Sequence, residues 1–232
     1  MEEPSGSDQA NGVPASVRAQ LLATEHWSLL ASRGSTQSEV LTRISIFLTL
    51  VSAGLVSIAL VGQATQFSGT FRLFAGILLI VVIVVGILTQ VRVSNVSLED
   101  LMYVLAMNRL RAAYVELDPG IAPYLMASPY DDRAGSVQTY FFLGRRRGTT
   151  QILGSSMVFI IAVNATLIGL LASSVASELG AVTAAVIAIG AASGLAFFGL
   201  SLARGARRYF GLWKTYTPLH PGPAESTPPP AD

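Results

Sequence analysis

The sequence predicts an all-α integral membrane protein with four transmembrane helices in two hairpins and a small cytoplasmic helical layer. Four apolar runs carry that prediction: Ile44–Val61, Phe71–Val91, Ile152–Ser174 and Leu179–Ala203, with charges at or outside their ends. At about 1.5 Å per residue, runs of this length match a hydrocarbon core of roughly 30 Å. Strands of a membrane barrel would be shorter and would alternate polar with apolar, whereas a helix satisfies its own backbone in lipid. Composition agrees, at 51% hydrophobic and 12% charged residues, which suits a membrane protein with modest aqueous segments. The third observation is the placement of charge. Of the 15 Lys and Arg residues, all but Arg72 fall in the N-terminal segment, the central connection or the tail. The positive-inside rule then places both termini and the central connection in the cytoplasm. The expected location is a bacterial inner (plasma) membrane, with multiple spans and the first span acting as an uncleaved signal anchor.

In chain order, residues 1–14 are polar and read as a disordered N-terminus. Residues 15–43 form a cytoplasmic juxtamembrane segment, with a helix over Ala15–Ser32 started by Pro14 and ended or kinked at Gly34. On that helix Leu22, Ala23, His26, Trp27 and Leu30 share a face. Residues 44–91 form the first hairpin. Ser45, Thr49, Ala53 and Ser57 recur every four residues of its first span and make a candidate packing seam, with a pore lining as the alternative. The second span is mostly Ile, Leu and Val and turns much of its surface to lipid.

Residues 92–151 combine a cytoplasmic helix over Val93–Leu117, stopped by Asp118-Pro119-Gly120, with an irregular aromatic link. The helix is expected to pack on Ala15–Ser32. In the link, Asp131-Asp132 reads as a solvated pair, with cation binding as the alternative. Residues 152–203 form the second hairpin. Asn164 is expected to face the bundle or a subunit contact, bonding to a hydroxyl of the first span or to backbone. Gly190 and Gly194 form a Gly-xxx-Gly pair, a sign of close helix packing. Residues 204–232 are a basic juxtamembrane segment and a disordered Pro-rich tail. Arg145, Arg146, Arg147, Arg204, Arg207 and Arg208 flank the second hairpin beside aromatic residues, which reads as topological anchoring at the headgroup boundary, with anionic-lipid contact as the alternative.

Chemistry is sparse. The sequence has no cysteine and 2 histidines, and neither His26 nor His220 has a partner at metal-ligand spacing. No phosphate-cradling glycine loop or dinucleotide fingerprint occurs. No catalytic residues, cofactor, metal or nucleic-acid partner are therefore expected. The spans hold no ionisable group near mid-depth, which argues against proton pumping and voltage sensing. The stretches Glu25-His26-Trp27-Ser28-Leu29-Leu30-Ala31 and Met107-Asn108-Arg109-Leu110-Arg111, with Tyr114 and Asp131-Asp132, resemble a group of uncharacterised actinobacterial four-span membrane proteins. That resemblance brings no activity. The first half is also similar in architecture to the two-transmembrane SLATT-type membrane effectors. The similarity implies pore formation, but the second hairpin departs from the pattern. The leading expectation is a non-enzymatic membrane protein acting through helix-mediated association as a homo-oligomer. An oligomeric channel or pore-forming effector is the alternative, and a lipid-directed membrane enzyme the third reading.

Overall fold

The computed structural model describes residues 13–141, 143 and 155–223. All regular structure among them is helical: α1 (Ala15–Ala64), α2 (Gly69–Leu117), a 3-10 turn (Pro119–Tyr124), α3 (Arg133–Tyr140), α4 (Ser156–Glu178) and α5 (Thr183–Thr215). Helices α1, α2, α4 and α5 are each long and apolar enough to cross a membrane. The chain is thus a multi-pass, all-α membrane protein.

Gly34 does not end the first helix, which continues to Ala64 as α1. A glycine within a helix costs only about 1 kcal/mol relative to alanine. The long flanking segments outweigh that cost. Likewise α2 continues without a break from the second span to Leu117.

The chain divides into two compact units. The larger takes residues 34–100 and the described part of 145–216. Its core joins Val40, Ile44 and Phe47 of α1 to Leu79, Val82, Ile83, Val93 and Val96 of α2 and to Ile160 and Leu167 of α4. After α1 the chain turns at Gln66 and Phe67, both in the left-handed region with φ of 51° and 56°. The Phe67 N–H donates to the Gly62 carbonyl at 3.0 Å, and its ring meets Phe71 edge-on at 5.1 Å. A Cβ on Gly62 would lie 2.6 Å from the Phe67 ring, so the fold-back needs glycine there. The second hairpin turns at Gly180, with φ of 77°, before α5 begins at Thr183. An ion pair of 3.2 Å between Arg72 and Glu178 joins the two tips.

The smaller unit is assembled from residues 13–33, the described part of 101–144, and 217–223. Leu101, Val104, Leu105, Met107 and Ala112 of α2 are buried in it. On α1 the inward face is Leu22, His26, Leu29 and Arg33. The grouping read from sequence is corrected here, because Trp27 is 71% exposed and Leu30 is also exposed. The imidazole of His26 stacks on Tyr114 at 6.0 Å, and Arg33 lies over the Tyr140 ring. These two contacts fix the rotation of α1.

Two further expectations are overturned in this unit. Asp131 is fully buried, not solvated. Its carboxylate accepts from Arg109 Nε and from the backbone N–H groups of Leu219 and His220. Asp132 caps α3 by accepting from Gly135 N–H at 2.6 Å, and accepts from Gly222 N–H at 2.7 Å. Residues 217–223, read from sequence as the start of a disordered tail, are held by these bonds. Pro218, Pro221 and Pro223 have no N–H. The amides of Leu219, His220 and Gly222 between them each meet a carboxylate. Fixed proline φ angles also lower the entropy lost when such a segment orders. Residues 1–12 and 224–232, the rest of the expected disordered ends, lie outside the described residues.

Candidate functional site

Most of the small-residue seam of α1 lies on the surface of the described residues. Ser45, Thr49 and Ala53 are exposed and Ser57 is half-buried. Their hydroxyls turn back on their own helix: Ser45 donates to the Leu41 carbonyl at 3.0 Å, Thr49 to Ser45 at 2.9 Å and Ser57 to Ala53 at 2.8 Å. The face that packs instead carries Val40, Ile44, Phe47 and Gly54. Phe47 brings bulk, and Gly54 lets Val82 of α2 close in. These larger apolar contacts outweigh what a small seam offers inside one chain.

Close approach is used by the second hairpin. Gly190 and Gly194 of α5 face Gly169 of α4. A Cβ on Gly169 would lie 2.8 Å from the Gly190 carbonyl oxygen, and one on Gly194 would lie 2.8 Å from that of Ala165. Ser173 donates across the same seam to the Val186 carbonyl at 3.2 Å. The Gly-xxx-Gly pair thus meets a helix of its own chain.

Asn164 is fully buried. Its Nδ2 donates to Gln90 Oε1 of α2 at 2.9 Å, and Gln90 Nε2 donates to Ser201 Oγ of α5 at 3.2 Å. The partner is a side-chain amide, not the first-span hydroxyl or backbone group expected from sequence. Gly86 makes room for it, since a Cβ there would overlap Asn164 Oδ1 and come within 2.8 Å of Phe47. Oδ1 itself has no hydrogen-bond partner among the described residues. The relay ties three helices with neutral groups and contains no titratable member.

Beside Gln90 and Ser201 a pocket of about 180 Å³ opens between α2, α4 and α5. Ser94, Arg204 and Arg208 stand on its wall. Arg208 donates to Ser94 Oγ at 3.4 Å. Arg207 does not line it. The candidate lipid contacts Arg145, Arg146 and Arg147 lie outside the described residues.

Among the described residues no group of three or more His, Cys, Asp or Glu is placed to hold a metal ion. In the smaller unit, burial and then nearby Arg111 hold His26 below the ordinary histidine value. Burial and then Arg33 lower Arg111, and burial raises Tyr114. These shifts favour an uncharged imidazole stacked on a neutral phenol, which is a packing arrangement. Gln90 is the site residue that sequence reading missed: two positions from Arg92, it passes for a polar residue at a span end. Comparison with known protein families, curated proteins and solved structures finds no match to this chain.

Proposed function

We propose that the protein is non-enzymatic and works through helix-mediated association, as a homo-oligomer in a bacterial inner membrane. The observation that carries this reading is the α1 seam. Ser45, Thr49 and Ala53 remain on the surface of the chain, and their hydroxyls are satisfied within α1. A face of small residues with no outstanding hydrogen bonds suits close approach by a second helix in lipid. Asn164, Gln90 and Ser201 bond to one another across three helices, which favours packing over the passage of an ion.

Cytoplasmic termini go with this reading. Arg18 reaches Glu116, His26 stacks on Tyr114, and Asp131 holds residues 219 and 220. Contacts among the N-terminal, central and C-terminal segments support one shared side. The basic-residue count supports the cytoplasm as that side.

The chain has no cysteine, so single-cysteine cross-linking in bilayers reads the interface directly. Thr49→Cys is expected to cross-link between copies, while Val81→Cys on an exposed face of α2 is not. Ala53→Leu should abolish the Thr49 cross-link. Equal labelling of both positions by lipid-phase reagents, with no cross-link at either, would place the seam in lipid. Ion flux through liposomes would instead turn the reading to a pore, and lipid turnover to an enzyme.

A further inference from the structure

Among the described residues, the arginines of the larger unit divide into two kinds. Arg92 is bridged by Glu39 and Glu99 at 2.8 Å each, Arg43 by Glu39 at 2.8 Å, and Arg72 by Glu178 at 3.2 Å. Arg204, Arg207 and Arg208 have no carboxylate within ion-pair distance among the described residues. Of these, Arg204 and Arg208 line the pocket.

The hydroxyls divide in the same way. Ser45, Thr49, Ser57, Thr89, Ser97 and Thr166 each donate to the carbonyl four residues earlier. Ser94 and Ser201 do not. Each accepts a bond, Ser94 from Arg208 and Ser201 from Gln90, so each keeps its own proton to donate. Ser201 is also one of the few buried hydroxyls of the bundle, at 5% exposure. Gln90 is held by Asn164 on its other side, so the orientation of Ser201 is set from behind.

Among the described residues, the pocket therefore presents two guanidinium groups and two hydroxyl protons, and no acidic side chain. Such a wall recognises an anion with several acceptor oxygens. The volume of about 180 Å³ is below the roughly 300–1,000 Å³ of pockets that enclose drug-sized ligands. It suits a headgroup whose remainder lies outside. Ile87 and Phe197 extend the wall with apolar surface. The position is at the basic end of α5, away from the joined hairpin tips.

We infer that this pocket binds the phosphate of an anionic phospholipid, with Arg204, Arg208, Ser94 and Ser201 as donors and the acyl chains lying against the helices. The chemistry is that of a phosphate ester. A lipid source is favoured over a soluble one because apolar side chains share the wall and the helices that build the pocket cross the membrane.

The test uses the full chain in mixed micelles holding equal amounts of phosphatidylglycerol and phosphatidylcholine. Lipid retained through detergent exchange is quantified by mass spectrometry. Phosphatidylglycerol should be retained in preference. Arg204→Gln and Arg208→Gln should each lower that preference about tenfold or more, the loss of a hydrogen bond to a charged group. Arg207→Gln should change it by about fivefold at most, the effect of a surface charge that makes no bond in the pocket. Ser201→Val, which removes a donor without altering net charge, keeps the test decisive if an arginine variant does not fold: it should also lower the preference. Equal retention of the two lipids overturns the proposal. So does an equal loss from all three arginine variants, which would indicate diffuse surface charge. Displacement of the retained lipid by millimolar inorganic phosphate would overturn the lipid source and assign the pocket to soluble phosphate.

Discussion

At the scale of the residue, Asn164 shows how a single polar group is accommodated in an apolar segment. Hydrocarbon offers an amide no partner, and Gln90 of α2 supplies one at 2.9 Å. Interhelical bonds of this kind contribute roughly 0.6 kcal/mol on average and up to about 1.7. A double-mutant cycle on Asn164→Leu and Gln90→Leu should return a coupling energy in that range, measured by reversible unfolding in mixed micelles. Gly86→Ala should cost more, about 1–3 kcal/mol, because the added methyl overlaps the amide and meets Phe47 at 2.8 Å,. A coupling energy near zero would mean that the two amides act independently. That Asn164 needs a partner was legible in the sequence, since its neighbours are apolar. Which partner was not legible. Gln90 lies 74 positions away, and only the relative rotation of α2 and α4 brings the two together.

At the scale of the element, the same kind of sequence signal had two different outcomes. Small residues at every fourth position mark both α1 and α5. On α5 they meet α4 closely enough that Gly169 and Gly190 cannot take side chains without a shift. On α1 the larger residues of another face win the intramolecular contact, and Ser45, Thr49 and Ala53 stay outside. The pattern reports that a close approach is sterically allowed, not that a given neighbour makes it. Gly190→Ala tests the α5 seam, since its Cβ would lie 2.9 Å from the Gly169 carbonyl oxygen and would also overlap Ser173 Oγ. A loss of about 1–3 kcal/mol is expected from such overpacking. Gly199→Ala is the control within the same helix, because nothing lies within 4 Å of its Cβ. That change should be neutral or should stabilise by up to about 1 kcal/mol through helix propensity. Equal effects of the two substitutions on unfolding in micelles would exclude the close α4–α5 approach as a source of stability.

At the scale of the whole molecule, apolar length determined what the sequence could reveal. The four long runs and the helical continuation of α2 are periodic and local, so they could be read directly. The smaller unit draws on three distant stretches of chain, and its decisive bonds run to backbone amides, which carry no signature in sequence. Asp131 is the central case. Its oxygens accept from Leu219 N–H at 3.0 Å and His220 N–H at 2.7 Å, and its own N–H donates to the His220 carbonyl at 3.1 Å. Arg109 neutralises the buried charge while its own side chain stays 41% exposed. Asp131→Asn preserves shape but turns one acceptor oxygen into a donor facing N–H groups. Hydrogen bonds to charged groups contribute about 1.5–3 kcal/mol, so the tail should detach locally by that margin. Deuterium exchange at the amides of Leu219 and His220 should then accelerate roughly 10- to 150-fold, since about 1.4 kcal/mol corresponds to a tenfold change in an opening equilibrium. Exchange in the buried parts of α4 should not change, because the bond lies wholly within the smaller unit. Asp132→Ala should release Gly222 and weaken the α3 cap by about 1 kcal/mol, leaving Leu219 and His220 protected. Unaltered protection at both of those amides in the Asp131 variant would show that the Asp131 carboxylate does not hold residues 219 and 220 in place.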